Sequence, residues 1–275
     1  MLLTGCLGSG GAGGGGSGDD DDIVGDSGDA DTDADSDADT DADTDTGTDT
    51  GTGTGGPVLD PPAGATSGGS GGGATAGEAR STGDGIDYQI IAPAGCNGAG
   101  GCPLMIVFSG TEGAVNMMRN LQAMGFLAGD DVIFAILDGR TYFGDGDPGV
   151  SVLDEVRGQY DVDNDRTWLL SESAGTQSGL EIGFHLRPSF FAAFWANDVN
   201  ASDVPEQTSD DLGFEPWGNA GPGGDWPDAN AIVDGMRDAG YRIEEPAPYD
   251  GAGSDVHGDP TQFQAAVSWF AGRTR

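Results

Sequence analysis

The chain has 275 residues and a formal net charge of -37, with 47 acidic residues set against ten basic ones, all of them Arg. So strong an acidic balance excludes nucleic acid as a partner, because phosphate recognition needs clusters of Lys and Arg. It favours solubility, high salt included.

The composition is divided. Residues 1–76 are almost entirely Gly, Asp, Ser, Thr and Ala, with fifteen Asp in residues 1–50. Such a stretch buries too little apolar surface to offset its ordering entropy. Residues 7–76 are therefore expected to form a disordered acidic tether. Its alternating Asp residues repel one another and extend the chain. Asp-x-Asp-x-Asp recurs there without the Gly turn and bidentate Glu of an EF-hand loop, so no tight calcium site is expected. Residues 77–275 hold every Trp, Tyr and Phe. They are long enough for one domain with a full core.

Within that part, strand-like and helix-like segments alternate. Residues 87–93 (DYQIIAP) read as a strand, and 103–108 (PLMIVF) form a continuous apolar run, as a buried parallel strand does. A helix is expected over 114–126, a second buried strand over 131–137 (DVIFAIL) and a helix over 150–160. Strand 166–170 (RTWLL), helix 174–187, strand 190–196 and a weak strand over 213–218 follow. The chain closes with a helix over 226–239, a short strand from 241 to 243 and an amphipathic helix over 260–270. The alternation predicts an α/β fold: a mostly parallel sheet with helices on both faces. Function in such sheets lies in the loops at the carboxyl ends of the strands.

The loop after 166–170 reads Ser171-Glu172-Ser173-Ala174-Gly175 and leads directly into a helix. It resembles the nucleophile elbow G-x-S-x-G of α/β-hydrolases, with Ser171 in place of the first Gly. A strand turning that sharply into a helix strains the nucleophile's backbone and leaves room only for small residues two places away. The resemblance, to serine esterases of the feruloyl-esterase and polyhydroxybutyrate-depolymerase type, covers roughly residues 85–275. It implies the α/β-hydrolase fold without a large lid, a Ser-His-Asp triad and an acyl-enzyme, with Ser173 as nucleophile. Phe108-Ser109-Gly110-Thr111-Glu112-Gly113 stands where the family has its oxyanion turn, with Ser109 replacing the usual His. The family's two oxyanion donors would be the backbone N–H groups of Thr111 and Ala174.

The base is sought among two His residues. His185 falls inside the helix after the elbow, and His257 in a polar loop before the last helix, where the family keeps its catalytic His. An imidazole is needed because it accepts and returns a proton near neutrality. The acid follows the nucleophile and precedes the His in chain order. Asp225, between a Gly pair and Pro227, is the first choice. Asp198, after the strand at 190–196, and Asp228 are the rivals.

Asp161-Val162-Asp163-Asn164-Asp165 looks like a calcium loop, yet Arg166 sits where that loop needs Gly. It reads instead as the D-x-D-x-x-R turn found before the nucleophile strand in those secreted esterases. Neither a metal nor an organic cofactor is implied.

The three cysteines have separate uses. Leu3-Thr4-Gly5-Cys6 resembles a bacterial lipobox, so Cys6 would be lipidated and residues 1–6 would be the remnant of a signal peptide. Cys96 and Cys102 bracket a short glycine-rich loop, and export favours a disulfide between them. The expected protein is a monomeric, extracytoplasmic lipoprotein, anchored to the cell envelope through Cys6 and acting on a small-molecule or polymer ester. Tyr142, Phe143, Trp195, Trp217 and Trp226 would line its substrate site or fill its core. The competing reading keeps the fold as a catalytically silent surface-binding module.

Overall fold

The computed structural model describes residues 60–275 except 72, 97–100, 124–131, 201–212, 217–225, 242, 244–257 and 259. The described strands form one seven-stranded sheet. They are β1 (Ala74–Ser81), β2 (Asp87–Ala92), β3 (Cys102–Phe108), β4 (Ile133–Leu137), β5 (Val162–Glu172), β6 (Ala193–Asn197) and β7 (Gly213–Pro216). Their order across the sheet is β1-β2-β4-β3-β5-β6-β7. β2 runs antiparallel to both neighbours, and β3 to β7 are parallel.

Apolar side chains decide this arrangement. All seven residues of β3 and all five of β4 are buried. Buried on both faces, such strands need helices above and below. Alternate residues point to opposite faces. Leu104, Ile106 and Phe108 enter one core with Val152, Leu153 and Val156 of α2 (Asp147–Gln159). Met105 and Val107 enter the other with Met117 and Leu121 of α1 (Ala114–Ala123). Ile182 and Phe184, beyond the elbow, and Ile232 and Met236 of α4 (Trp226–Asp238) join the first core. Phe263, Ala266, Trp269 and Phe270 of α5 (Pro260–Phe270) fill the second.

Several boundaries differ from expectation. Helix α2 begins three residues early, because Pro148 and Asp147 suit a first helical turn. The helix expected over 174–187 is in three parts: a 3₁₀ turn at Ser173–Gly175, α3 (Thr176–Leu180) and a π-helical stretch at Glu181–Leu186. Of the short strand expected over 241–243, Ile243 makes a bridge and Tyr241 does not, while residue 242 lies outside the described residues.

The expected boundary between tether and domain at residue 77 falls inside β1, which pairs with β2. Residues 60–71 also pack on the domain. The Ser67 N–H donates to the Val162 carbonyl at 2.8 Å and the Ser67 hydroxyl to the Tyr160 carbonyl at 2.7 Å. Gly64 and Gly68 donate their N–H groups to Asp165 and Asp161, and Asn164 Nδ2 donates to the Pro62 carbonyl. The segment is held by backbone groups, so its poverty in apolar side chains did not announce it. A chain starting at residue 77 is expected to melt about 10 °C below one starting at residue 60, since several net hydrogen bonds of about 1 kcal/mol each are lost. Equal melting temperatures for the two truncations would contradict that.

The same contacts account for the Asp-rich turn read as no calcium loop. Asp161 accepts the Gly68 and Gly101 N–H groups, and Asp163 pairs with Arg166 at 2.6 Å. Cys96 and Cys102 form a disulfide with Cα atoms 5.5 Å apart. Closing so short a loop contributes about 2 kcal/mol. No helix among the described residues is long and apolar enough to cross a membrane. Cys6 lies outside the described residues.

Candidate active site

The sheet brings three strand ends together. β5 lies between β3 and β6, so the turns after these strands meet above the carboxyl edge. β5 ends at Glu172, and Ser173 opens the 3₁₀ turn with φ 45°. Among the described residues, the two non-glycine residues with positive φ are Ser173 and Asp198. Such strain persists only where the surroundings enforce it, and it collects at functional sites.

The elbow is enforced by close packing. A Cβ on Gly175 would stand 2.6 Å from the Phe108 carbonyl oxygen and 2.7 Å from that of Ser109. No side chain fits there. The Ser171 substitution in the motif is accommodated further along, in α3. A Cβ on Gly179 would lie 2.8 Å from Ser171 Cβ, so this glycine makes the room that a glycine at 171 would have made. Thr176 then ties the elbow to the turn after β6. Its hydroxyl donates to the Ser173 carbonyl at 2.7 Å and accepts the Asn200 N–H at 2.8 Å.

The turn after β3 faces Ser173. A Cβ built on Gly110 would be 3.4 Å from Ser173 Cβ. Thr111 is exposed in this turn, and Ala174 is buried beside the nucleophile. Ser109, fully buried, accepts the Gly139 N–H on its hydroxyl at 3.3 Å. It thereby joins the turn after β3 to the turn after β4. Next to them is a cavity of about 350 Å³ lined by Asp87, Glu112, Val115, Asp138, Thr141 and Tyr142.

Asp198 follows β6 and is fully buried. Its Oδ2 accepts the Gly258 N–H at 2.6 Å, and its Oδ1 accepts from Gln262 Nε2 of α5 at 3.3 Å. Gly258 is the residue after His257 in the chain. Asp198, which ranked behind Asp225 in the sequence, is thus bonded to the residue that follows His257. His257 and Asp225 themselves lie outside the described residues, and of Asp228 only the backbone, in the first turn of α4, is described. His185 sits in the π-helical stretch and pairs with Glu181 at 3.0 Å. Among the aromatics, Tyr142 lines the cavity and Phe143 is exposed, whereas Trp195 is core, packed edge-on against Trp269. Trp217 lies outside the described residues. Among the described residues no three His, Cys, Asp or Glu are grouped to hold a metal.

Sequence reasoning missed Glu172 and Glu112 as members of the site. Glu172, at 6% exposure, is held well above the ordinary carboxylate range, first by burial and then by the Glu112 and Asp198 carboxylates. Burial also raises Glu112.

No protein-family model matches the chain, and no curated protein matches it. Solved structures do. A thermostable esterase superposes with a TM-score of 0.50 at 16% identity, over 72% of this chain and 63% of the esterase. The fluorophosphonate-binding serine hydrolase F of Staphylococcus aureus gives 0.51 at 12% identity, over 74% of this chain and the whole of that one. The chain thus spans just under two thirds of the first and all of the second. At these identities the likeness is one of fold, and the fold is that of the α/β-hydrolases.

Proposed function

We propose that this chain is a serine hydrolase that cleaves carboxylic esters, with Ser173 as nucleophile and His257 as general base. The observation that carries the reading is Ser173 itself: a non-glycine residue at φ 45°, at the tip of the turn between β5 and the following helix. A serine held there at the cost of strain has its hydroxyl presented at the carboxyl edge of the sheet. Ser173 Oγ attacks the ester carbonyl while His257 takes its proton. The oxyanion is received by the N–H groups of Thr111 and Ala174, the alcohol leaves with the proton, and water releases the acyl group by the reverse sequence.

For the acid this reading takes Asp198 in preference to Asp225. Its carboxylate is buried and accepts the N–H of the residue after His257, which supports it as the group that would take the Nδ1–H of the imidazole and orient it. Its substrates would be small-molecule or polymer esters. The fluorophosphonate-binding neighbour is described as a serine hydrolase, which agrees with this reading.

The proposal extends to location. Lipidation at Cys6 and an extracytoplasmic, envelope-anchored position are supported by Leu3-Thr4-Gly5-Cys6 and by the Cys96–Cys102 disulfide, a bond of oxidising compartments. A fluorophosphonate probe tests the chemistry. An active site of this kind takes the label, whereas a folded chain that stays unlabelled is the silent binding module.

A further inference from the structure

Two carboxyl groups stand at the centre of the site without a part in acyl transfer. Glu172 is the residue before Ser173, and Glu112 lies in the turn after β3. Their carboxyls crowd the same spot beside Gly110, and the Glu112 carboxylate is among the charges that raise Glu172. Two ionised carboxylates so placed would repel each other, whereas a proton shared between them would join them. Glu112 is fastened at its other end, where its Oε1 accepts the Gly110 N–H at 3.1 Å. A Cβ on Gly110 would stand 2.6 Å from Glu112 Oε2, 3.4 Å from Glu172 Cδ and 3.4 Å from Ser173 Cβ. On the other side, a Cβ on Gly258 would stand 2.9 Å from Glu172 Oε1. The pair therefore runs from the turn after β3, past the nucleophile, to the residue that follows His257.

We propose that Glu112 and Glu172 are positioning residues: one proton held between their carboxyls clamps the oxyanion turn to the nucleophile elbow. The effect on catalysis rests on the ester-hydrolase reading of Ser173; the shared proton rests on the carboxyl geometry alone. The charged groups that act on the pair come from two further elements. Asp138, after β4, faces Glu112, and Asp198, after β6, faces Glu172. Each disfavours a second negative charge. His257, beside Gly258 in sequence, lies outside the described residues. When the shared proton is lost, Glu112 and Glu172 repel each other. Glu112 then draws away with the Gly110 amide, and the Thr111 N–H leaves its place. Because Glu172 titrates above its unfolded value, the stabilisation is fully present below the ordinary carboxylate range. It is lost as pH rises through the raised value.

The test compares the full-length parent with Glu172→Gln, Glu172→Ala and Glu112→Gln, by infrared spectroscopy and by the rate of fluorophosphonate labelling from mildly acidic to alkaline pH. The parent is expected to show a protonated-carboxyl stretch at neutral pH that Glu172→Gln lacks. Its labelling rate should fall on the alkaline side by a factor on the order of 10², the effect of a misplaced oxyanion donor. Glu172→Gln keeps a donor to Glu112 but no titrating proton, so it should label at the parent's neutral rate without the alkaline fall. Glu172→Ala should label slowly at every pH. Should a Glu172 variant fail to fold, Glu112→Gln, in a part-exposed turn, should likewise lack the alkaline fall. The proposal is overturned if the parent has no protonated-carboxyl band at neutral pH, or if the Gln variants fall with pH as the parent does. A parent that shows the band yet takes no label supports the pair and sinks the hydrolase reading.

Discussion

A Ser173→Ala variant is expected to lose turnover of a short p-nitrophenyl ester by a factor on the order of 10⁵ to 10⁶ while melting as the parent does. The size of the loss follows from the division of labour at the site. Without Oγ there is no acyl-enzyme, and only binding and the oxyanion donors remain to accelerate attack by water. Stability should hardly change. The residue stays in the left-handed region at φ 45°, and Ala accepts that conformation no worse than Ser. The backbone links that fix the elbow also survive, because Thr176 bonds the carbonyl of residue 173 and not its hydroxyl. A folded variant with the parent's turnover would remove Ser173 from the mechanism.

The second large effect is expected at Asp198. Asp198→Asn should lower turnover by a factor of about 10⁴, as loss of the group that fixes the histidine tautomer does. The amide keeps one oxygen to accept the Gly258 N–H, so Gly258 stays anchored. It removes the charge that faces Glu172, which relieves repulsion there. The fold should therefore survive, and matched melting curves check this. Asp225→Asn, measured beside it, should keep near-parent turnover. If Asp225→Asn collapses activity and Asp198→Asn does not, the acid lies at the position the sequence first favoured.

These two residues show how unevenly the molecule can be read in advance. The nucleophile is a local feature. An apolar strand, a small-residue turn and a helix lie within a few residues of one another, and the structure bends them as the motif requires. The buried strands β3 and β4 are equally local, since a run of apolar residues can only be satisfied by burial on both faces. Asp198 is different. Its partner Gly258 is 60 residues away in the chain, and no spacing rule connects them. The same holds for Glu112 and Glu172, whose meeting depends on β3 lying next to β5 in the sheet.

Strand β1 escaped notice for another reason. Its sequence ATAGEARS is mostly exposed at the sheet edge and carries no apolar alternation. Residues 60–71 are pinned through amides and carbonyls, which composition does not weigh. Ser171 is a milder case. It looks like a defect in the motif until Gly179 is seen to yield the space.

The most direct test of the account is the place of the covalent label. The full-length protein is treated with a fluorophosphonate, digested and mapped by peptide mass spectrometry. A single adduct on Ser173, absent when the protein is unfolded before labelling, is the predicted result. An adduct on another serine, or an intact folded protein without one, would contradict it.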